Sequence, residues 1–403
     1  MTITPTTTDL VRTALGRVED PEIQRPITEL NMVGRIAIDD ARRVTVEILL
    51  TVSTCPLREK IRQDVRSAVL ALPGIGSVTV DFGVMSDEQR TALRKQIGGG
   101  DEIPFAEPAA RTRVLCVASG KGGVGKSSVT VNLAVAMAQR GLRVGILDAD
   151  IHGHSIPAML GCISGPTQVD RMMMPPTAYG VRLMSVGMFL EGNEPVVWRG
   201  PMLHRALRQF LADVYWGELD VLLVDLPPGT GDVAISLAQL VPTAELLVVT
   251  TPQQTAARIA ERAGAVAAKT GQRVVGVIEN MSWYQGPDGA RISLFGSGGG
   301  TTVSRRLAEL LGKDCALLGK IPFDPGVCAA GDLGTPMVLA EPESATAAAF
   351  FALADLLVAP RESIVGRRLP MSPGPRTARR SALDAGPGRP SSTGSPVAPA
   401  SRR

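Results

Sequence analysis

Aromatic residues are scarce, at only 3% of the 403 residues. The core must therefore be filled by Ala, Val and Leu, a mix that suits helices packed on parallel strands better than an all-β sandwich. Cysteine is sparse and scattered: Cys55, Cys116, Cys162, Cys315 and Cys328 contain no pair at metal-finger spacing. An odd cysteine count, behind a start (MTITPTTTDL) without a basic region or an apolar leader, is expected of reduced thiols in a cytoplasm. No stretch reaches the roughly 18 uninterrupted apolar residues that a membrane-spanning helix needs. Charge of one sign is lacking too, the formal net being +3. Residues 360–403 hold nine Arg and two acidic residues, a net of +7, which leaves about −4 for the rest. A mildly acidic body gives no case for a nucleic-acid-binding fold.

What is present is ample apolar content, 44%, enough for a sizeable core. Composition divides the chain into residues 1–97, a small α/β unit; a Gly/Pro-rich linker at 98–110; a body at 111–358; and a Pro/Gly/Ser/Arg-rich tail at 359–403 with little to bury, expected to be disordered. In the first segment the pattern predicts a helix near Thr7–Val18, strands at Val33–Ile38 and Val44–Leu50, a helix over Pro56–Leu72 and a strand at Ser77–Phe82. In the body, VLCVAS (114–119), VGILDAD (144–150), VRLMSV (181–186), VLLVDL (221–226), ELLVVTT (245–251), VVGVIEN (274–280) and CALLGKI (315–321) are apolar runs without period-two alternation. Such runs fit strands buried on both faces. Helical stretches such as Ser127–Arg140 and Pro201–Val214 lie between them, which implies an α/β fold with a doubly wound, mostly parallel sheet and ligands beyond the C-terminal strand ends.

After the first of these strands comes Gly120-Lys121-Gly122-Gly123-Val124-Gly125-Lys126-Ser127, followed by Ser128 in the helix. This is GxxxxGK[ST] in the strand–loop–helix setting that a phosphate loop requires. Glycines let backbone N–H groups converge on phosphate oxygens, Lys126 reaches the β- and γ-phosphates, and the Ser127 hydroxyl is a Mg²⁺ ligand. The helix that follows aims its positive end at the same anion. VLLVDLPPGTGD ends a strand with Asp225, placed to hold Mg²⁺ through water, and Gly229 can offer its N–H to a γ-phosphate. ILDAD ends another strand with Asp148 and Asp150. A lone Asp at a strand end is most simply a cap or a solvated residue, but three acids at sheet ends beside a phosphate loop favour a site. No Asn-Lys-x-Asp guanine-reading motif occurs, so adenine is preferred.

The second lysine, Lys121, makes the loop resemble the deviant Walker A of the MinD/ParA/Mrp class. That resemblance implies a Mg²⁺-dependent ATPase working as a homodimer, with Lys121 reaching the partner's phosphates, Asp150 positioning or deprotonating the attacking water, and Asn280 touching adenine. DADIHGHSIP (148–157), VVWRGPML (196–203), DLPPGTGD (225–232), ENMSW (279–283) and LFGSGGG (294–300) narrow it to the Mrp/ApbC branch of iron–sulfur cluster carriers, over about Arg111–Val358. His154 stands where the branch usually has proline. DPE (20–22), ITELNMV (27–33) and TVSTCPLREKI (51–61) resemble the small iron–sulfur-assembly domain that often precedes such ATPases. There Cys55 is expected at a helix N-cap with Pro56 at N1, where the dipole favours a thiolate; it is a candidate cluster ligand, or equally an inert capping cysteine.

One departure is chemical. Where cluster-binding members carry C-P-x-C after ENMS, this chain has Gly286 and Gly289, so it lacks the two thiolates per subunit that a bridging iron–sulfur cluster needs there. Cys162, Cys315 and Cys328 are read as core or loop residues. The leading expectation is an ATPase that carries or assembles clusters and delivers them to apo iron–sulfur proteins or assembly factors. A MinD/ParA-like positioning ATPase, and an ATP-gated assembly factor that holds no cluster itself, stay open beside it. The Ala-rich pattern at Glu343–Val358 reads as sheet-packing rather than as a membrane-surface helix.

Overall fold

A computed structural model describes residues 8–51, 57–97, 103–107, 110–150, 155–162, 164–169, 172–189, 200–229, 231–253 and 257–358. The first segment runs α1 (Thr8–Leu15), β1 (Val33–Ile38), β2 (Arg43–Leu50), α2 (Arg58–Leu70), β3 (Ser77–Val84) and α3 (Asp87–Gln96). Its three strands form one sheet in sequence order, β1 antiparallel and β3 parallel to β2. Alternation drives it: Val44, Val46, Ile48 and Leu50 all point inward from β2. They meet Val11 and Leu15 of α1 and Ile61, Val65 and Val69 of α2 in one core. The helix α2 begins at Arg58 with Leu57 as its N-cap, so the cap expected at Cys55 is corrected by two residues. Pro56 disfavours helical backbone in the residue before it, and the first turn forms only beyond it. Cys55 itself lies outside the described residues.

The body follows as β4 (Arg113–Ala118), α4 (Lys126–Gln139), β5 (Val144–Asp148), α5 (Ile156–Met159), β6 (Thr167–Val169), β7 (Met172–Met174), β8 (Thr177–Ala178), β9 (Val181–Ser185), α6 (Gly200–Ala212), β10 (Val221–Asp225) and α7 (Asp232–Leu240). Then come β11 (Glu245–Thr250), α8 (Ala257–Thr270), β12 (Val274–Glu279), β13 (Tyr284–Gln285), β14 (Arg291–Ile292), α9 (Gly299–Leu311), β15 (Leu317–Lys320), α10 (Pro325–Asp332), α11 (Met337–Ala340) and α12 (Ala345–Val358). Eight strands form one sheet in the order β15-β12-β11-β4-β10-β5-β9-β8, parallel throughout except for the β8–β9 edge pair.

Every residue of β5, β9, β10 and β11 is buried, as expected of strands covered on both faces. One face packs on α4 and α12 through Val129, Leu133, Phe350 and Leu353; the other packs on α6, α7 and α9 through Leu207, Leu237 and Leu307. The sheet is therefore doubly wound, and α12 is spent on packing: Phe350, Leu353, Ala354 and Leu357 are all buried. Among the described residues no helix is long and apolar enough to cross a membrane.

The glycine run at the start of α9 has a packing reason. A side chain on Gly300 would meet the Glu279 Cβ at 2.8 Å, and the Gly300 N–H donates to Glu279 Oε2 at 2.6 Å. The close approach seats a buried carboxylate on the helix N-terminus, where the dipole favours it.

Candidate functional site

The strand β4 delivers the chain to Gly120, and α4 starts at Lys126, so residues 120–125 make the loop between them. Gly125 takes φ +76, the left-handed region, and a side chain there would collide with the Asn280 amide. Gly123 also has positive φ, whereas Gly122 and Gly123 both open onto free space. The loop is thus held tightly at its helix end and left open where the first glycines lie.

Asp225, fully buried at the end of β10, is the hub. Lys126 Nζ lies 2.6 Å from its Oδ2, the Ser127 hydroxyl donates to the same oxygen at 2.6 Å, and the Thr130 hydroxyl donates to Oδ1 at 2.7 Å. Parallel pairing explains the meeting: Asp225 is in register with Val117 of β4 on one side and Asp148 of β5 on the other. Asp150, two residues past that register, comes within 3.8 Å of Lys126. Asp148 accepts from the Ser185 hydroxyl at 2.9 Å and from the Asp150 N–H at 3.2 Å. Burial, and next the nearby Asp225 charge, push the Asp148 carboxyl up to about 7.

The other predicted residues lie around this hub. The Lys121 ammonium bonds to the Gln253 side-chain oxygen of the same chain. The Gly229 N–H donates to the Ser119 carbonyl at 2.9 Å, with Gly229 at φ +97, so its offer to a phosphate requires that bond to open. The Asn280 amide donates to the Val124 carbonyl at 2.9 Å, tying the end of β12 to the loop. Asn280 also borders a cavity of about 410 Å³ shared with Gly125, Ser128, Met281, Phe323 and Asp324. Val124, within the loop, is buried. Sequence reasoning missed Thr130, Ser185 and Gln253. Only Thr130 carried a local signal, one turn after Lys126 on the same helix face.

Hard oxygen donors are what a Mg²⁺ ion needs, and Ser127 Oγ and Asp225 Oδ2 are such donors side by side, joined here by a hydrogen bond of 2.6 Å. Three of the four described thiols suit a cluster poorly, Cys328 on α10 being exposed. Cys116 and Cys315 are buried, and burial pushes both thiols up, that of Cys315 to about 11; Cys162 is raised the same way. Among the described residues no three His, Cys, Asp or Glu side chains group as a metal site.

The stretch that replaces C-P-x-C is a self-contained turn between β13 and β14. The Gly289 N–H donates to the Gly286 carbonyl at 2.9 Å, and the Ala290 N–H to Asp288 Oδ1 at 3.1 Å. Gly289 sits at φ +80, a conformation that strains any residue with a side chain, a cysteine included.

Comparison with known proteins finds two matching families, one for each part of the chain. Residues 110–358 match the family described as NUBPL iron-transfer P-loop NTPase, and residues 8–82 match the family described as iron-sulfur cluster assembly protein. An iron-sulfur cluster carrier protein of Mycobacterium bovis is 58% identical over 366 residues, covering 90% of this chain and 96% of the relative. A protein of the same description from Synechocystis is 41% identical, covering 86% of this chain and 96% of the relative. A solved nucleotide-binding protein from Archaeoglobus fulgidus, in complex with ADP, is similar at 34% identity and a TM-score of 0.52, covering 63% of this chain and 96% of that one.

Proposed function

The chain belongs to the iron–sulfur cluster carrier family of P-loop NTPases, and from that premise we propose that it hydrolyses ATP with Mg²⁺ and uses the cycle to deliver iron–sulfur clusters to apoproteins. The observation that carries the nucleotide part is the convergence of Lys126, Ser127 and Thr130 on the Asp225 carboxylate at the C-terminal end of the sheet.

Phosphoryl transfer asks a protein mainly for positioning and charge neutralisation. Lys126 leaves Asp225 to meet the β- and γ-phosphates, and the open backbone at Gly122 and Gly123 supplies N–H donors. Ser127 and Asp225 hold Mg²⁺, which when bound neutralises phosphate charge. Asp150, beside Lys126, orients the attacking water. Adenine enters the cavity bordered by Asn280. The protein acts as a cytoplasmic homodimer, in which Lys121 exchanges Gln253 for the partner's phosphates.

The cargo half of the reaction turns on where thiolates can be found. The turn at Gly286–Gly289 favours a second reading, an ATP-gated assembly factor that holds no cluster itself. Under the first reading Cys55 is the candidate ligand. Anaerobic reconstitution with iron and sulfide, read by visible absorbance and iron content, separates the two. A cluster on the wild type that Cys55→Ala loses supports carriage through the first segment. No cluster on either protein, with ATPase activity intact, supports the second reading. ATPase activity equal in wild type and Lys126→Ala would defeat the nucleotide assignment.

A further inference from the structure

A second cavity, of about 770 Å³, opens where the first segment meets the body, and its lining shares no residue with the phosphate loop. Arg182 on β9 is part of its lining. The strand register sets Arg182 beside Gly145, three residues before the Ser185–Asp148 pair, so the cavity lies toward the opposite end of the sheet from the nucleotide site. Arg182 is only 8% exposed. Its guanidinium donates to the Trp216 carbonyl and, at 2.7 Å, to the Gln24 side-chain oxygen, and it lies 5.6 Å from the Tyr215 ring centre.

All of those partners are neutral. Among the described residues no carboxylate pairs with Arg182, although buried charges are as a rule paired. The two other arginines of the lining are already matched: Arg143 bridges to Glu218 and Asp220, and Arg25 to Glu29. Burial and the Arg143 charge both push the Arg182 guanidinium down from its ordinary value, the response of a cation short of an anion.

The first segment is built toward this point. Asp20 caps its own turn, accepting from the Glu22 and Ile23 N–H groups at 3.0 and 2.9 Å. That turn brings Gln24 round in the left-handed region, φ +57, with its amide on Arg182. A side-chain-bearing residue held in such backbone is a strained position, which structures keep where something is gained. The Tyr215 hydroxyl donates to the Ile23 carbonyl at 3.1 Å, and the Thr167 hydroxyl to Glu22 Oε1 at 3.1 Å, fixing the turn against the body. The remaining walls mix the apolar Ile97, Pro104, Met172 and Val214 with the polar Gln96 and with Glu218, the partner of Arg143.

We propose that this cavity is a binding site for a small organic oxyanion, a carboxylate or a phosphate carried on an apolar body, with Arg182 as its anchor. A guanidinium presents its donors in a planar fork that matches either oxyanion, and two of its five N–H groups serve the Trp216 and Gln24 bonds. The apolar part of the walls takes the rest of the ligand, as in most small-molecule sites. Because the ligand would touch both Gln24 and the body, its binding also clamps the first segment in place.

The test is calorimetric titration of the full chain, saturated with Mg–ADP so that the phosphate loop is filled, with benzoate, phenyl phosphate and benzyl alcohol. Saturable binding of benzoate or of phenyl phosphate, with none for benzyl alcohol, is the expected result; whichever anion binds identifies the head group. Arg182→Gln should weaken it by about tenfold or more, as for loss of a charge-assisted pair. Arg182 also bridges the two segments, so Arg143→Gln serves as a second variant: it removes a rim charge and should weaken binding by about threefold. Absence of saturable binding by either anion, an equal response to benzyl alcohol, or affinities unchanged in both variants overturns the proposal.

Discussion

The Lys126 ammonium lies 2.6 Å from Asp225 Oδ2 and 3.8 Å from Asp150 Oδ2, so one buried cation ties together the ends of two neighbouring strands. The same group would meet the phosphates of a bound nucleotide. Replacement by alanine removes that charge and leaves Asp225 with only hydroxyl donors among the contacts described. Lys126→Ala is expected to lower ATP hydrolysis by at least about a hundredfold, the scale for removing one transition-state donor. Steady-state phosphate release, with nucleotide affinity measured alongside, checks it.

Asp150 stands in a different relation to the chemistry. It faces Lys126 at 3.8 Å, a longer range than the 2.6 Å that separates Lys126 from Asp225. A water-orienting carboxylate contributes about 10²–10⁴-fold to rate and little to ground-state binding. Asp150→Ala should therefore keep nucleotide affinity within about threefold while turnover falls by about a hundredfold or more. A single-turnover assay beside a binding titration separates the two effects, and parallel losses in both would remove Asp150 from that role.

How much of this was legible in the sequence follows from how local each feature is. The phosphate loop was, because Gly120–Ser127 are contiguous and their chemistry depends on backbone shape. The buried strands were, because double-faced burial writes unbroken apolar runs such as VLLVDL. The hydroxyl of Ser185 on Asp148 was not, since nothing in the sequence says that β9 lies beside β5. Gln253 was hidden for the same reason, 132 residues from Lys121. The helix α3 was missed because DEQRTALRKQ is nearly all polar and carries almost no apolar stripe; Leu93 is its buried anchor. The two-residue strands β13 and β14 are too short for any periodicity to register.

Two glycines of the loop should respond differently to alanine. Gly125 combines φ +76 with a collision against the Asn280 amide, so Gly125→Ala strains the folded backbone by about 1–2 kcal/mol and displaces Asn280 as well. Gly122 has no neighbour within 4 Å of an added Cβ, so Gly122→Ala should melt within about 2 °C of wild type. Its methyl would nonetheless stand in the space that phosphates need, and nucleotide affinity should fall about tenfold. Thermal melts with and without Mg–ATP check both, the expected pattern being loss of stability and binding at Gly125 but of binding alone at Gly122.

The Asp148 carboxyl is pushed from the ordinary 3.8 up to about 7 by burial and by the Asp225 charge. In the unfolded chain the group gives up its proton near 4; in the folded protein it keeps it to near neutrality. Between those values the native state binds more protons than the unfolded state, so stability declines as pH rises through the window from about 4 to 7. Every pH unit across that window costs at most about 1.4 kcal/mol, which sets a ceiling of roughly 4 kcal/mol for the whole decline. The amide of an Asp148→Asn variant has no proton to lose and can still accept from the Asp150 N–H, while the Ser185 hydroxyl turns to accept from the amide. Urea midpoints at pH 5.5 and pH 8 should therefore show the variant near wild type at the lower pH and more stable at the higher. A difference that stays constant between the two pH values would mean that Asp148 is ionised throughout, held so by Lys126 rather than repelled by Asp225.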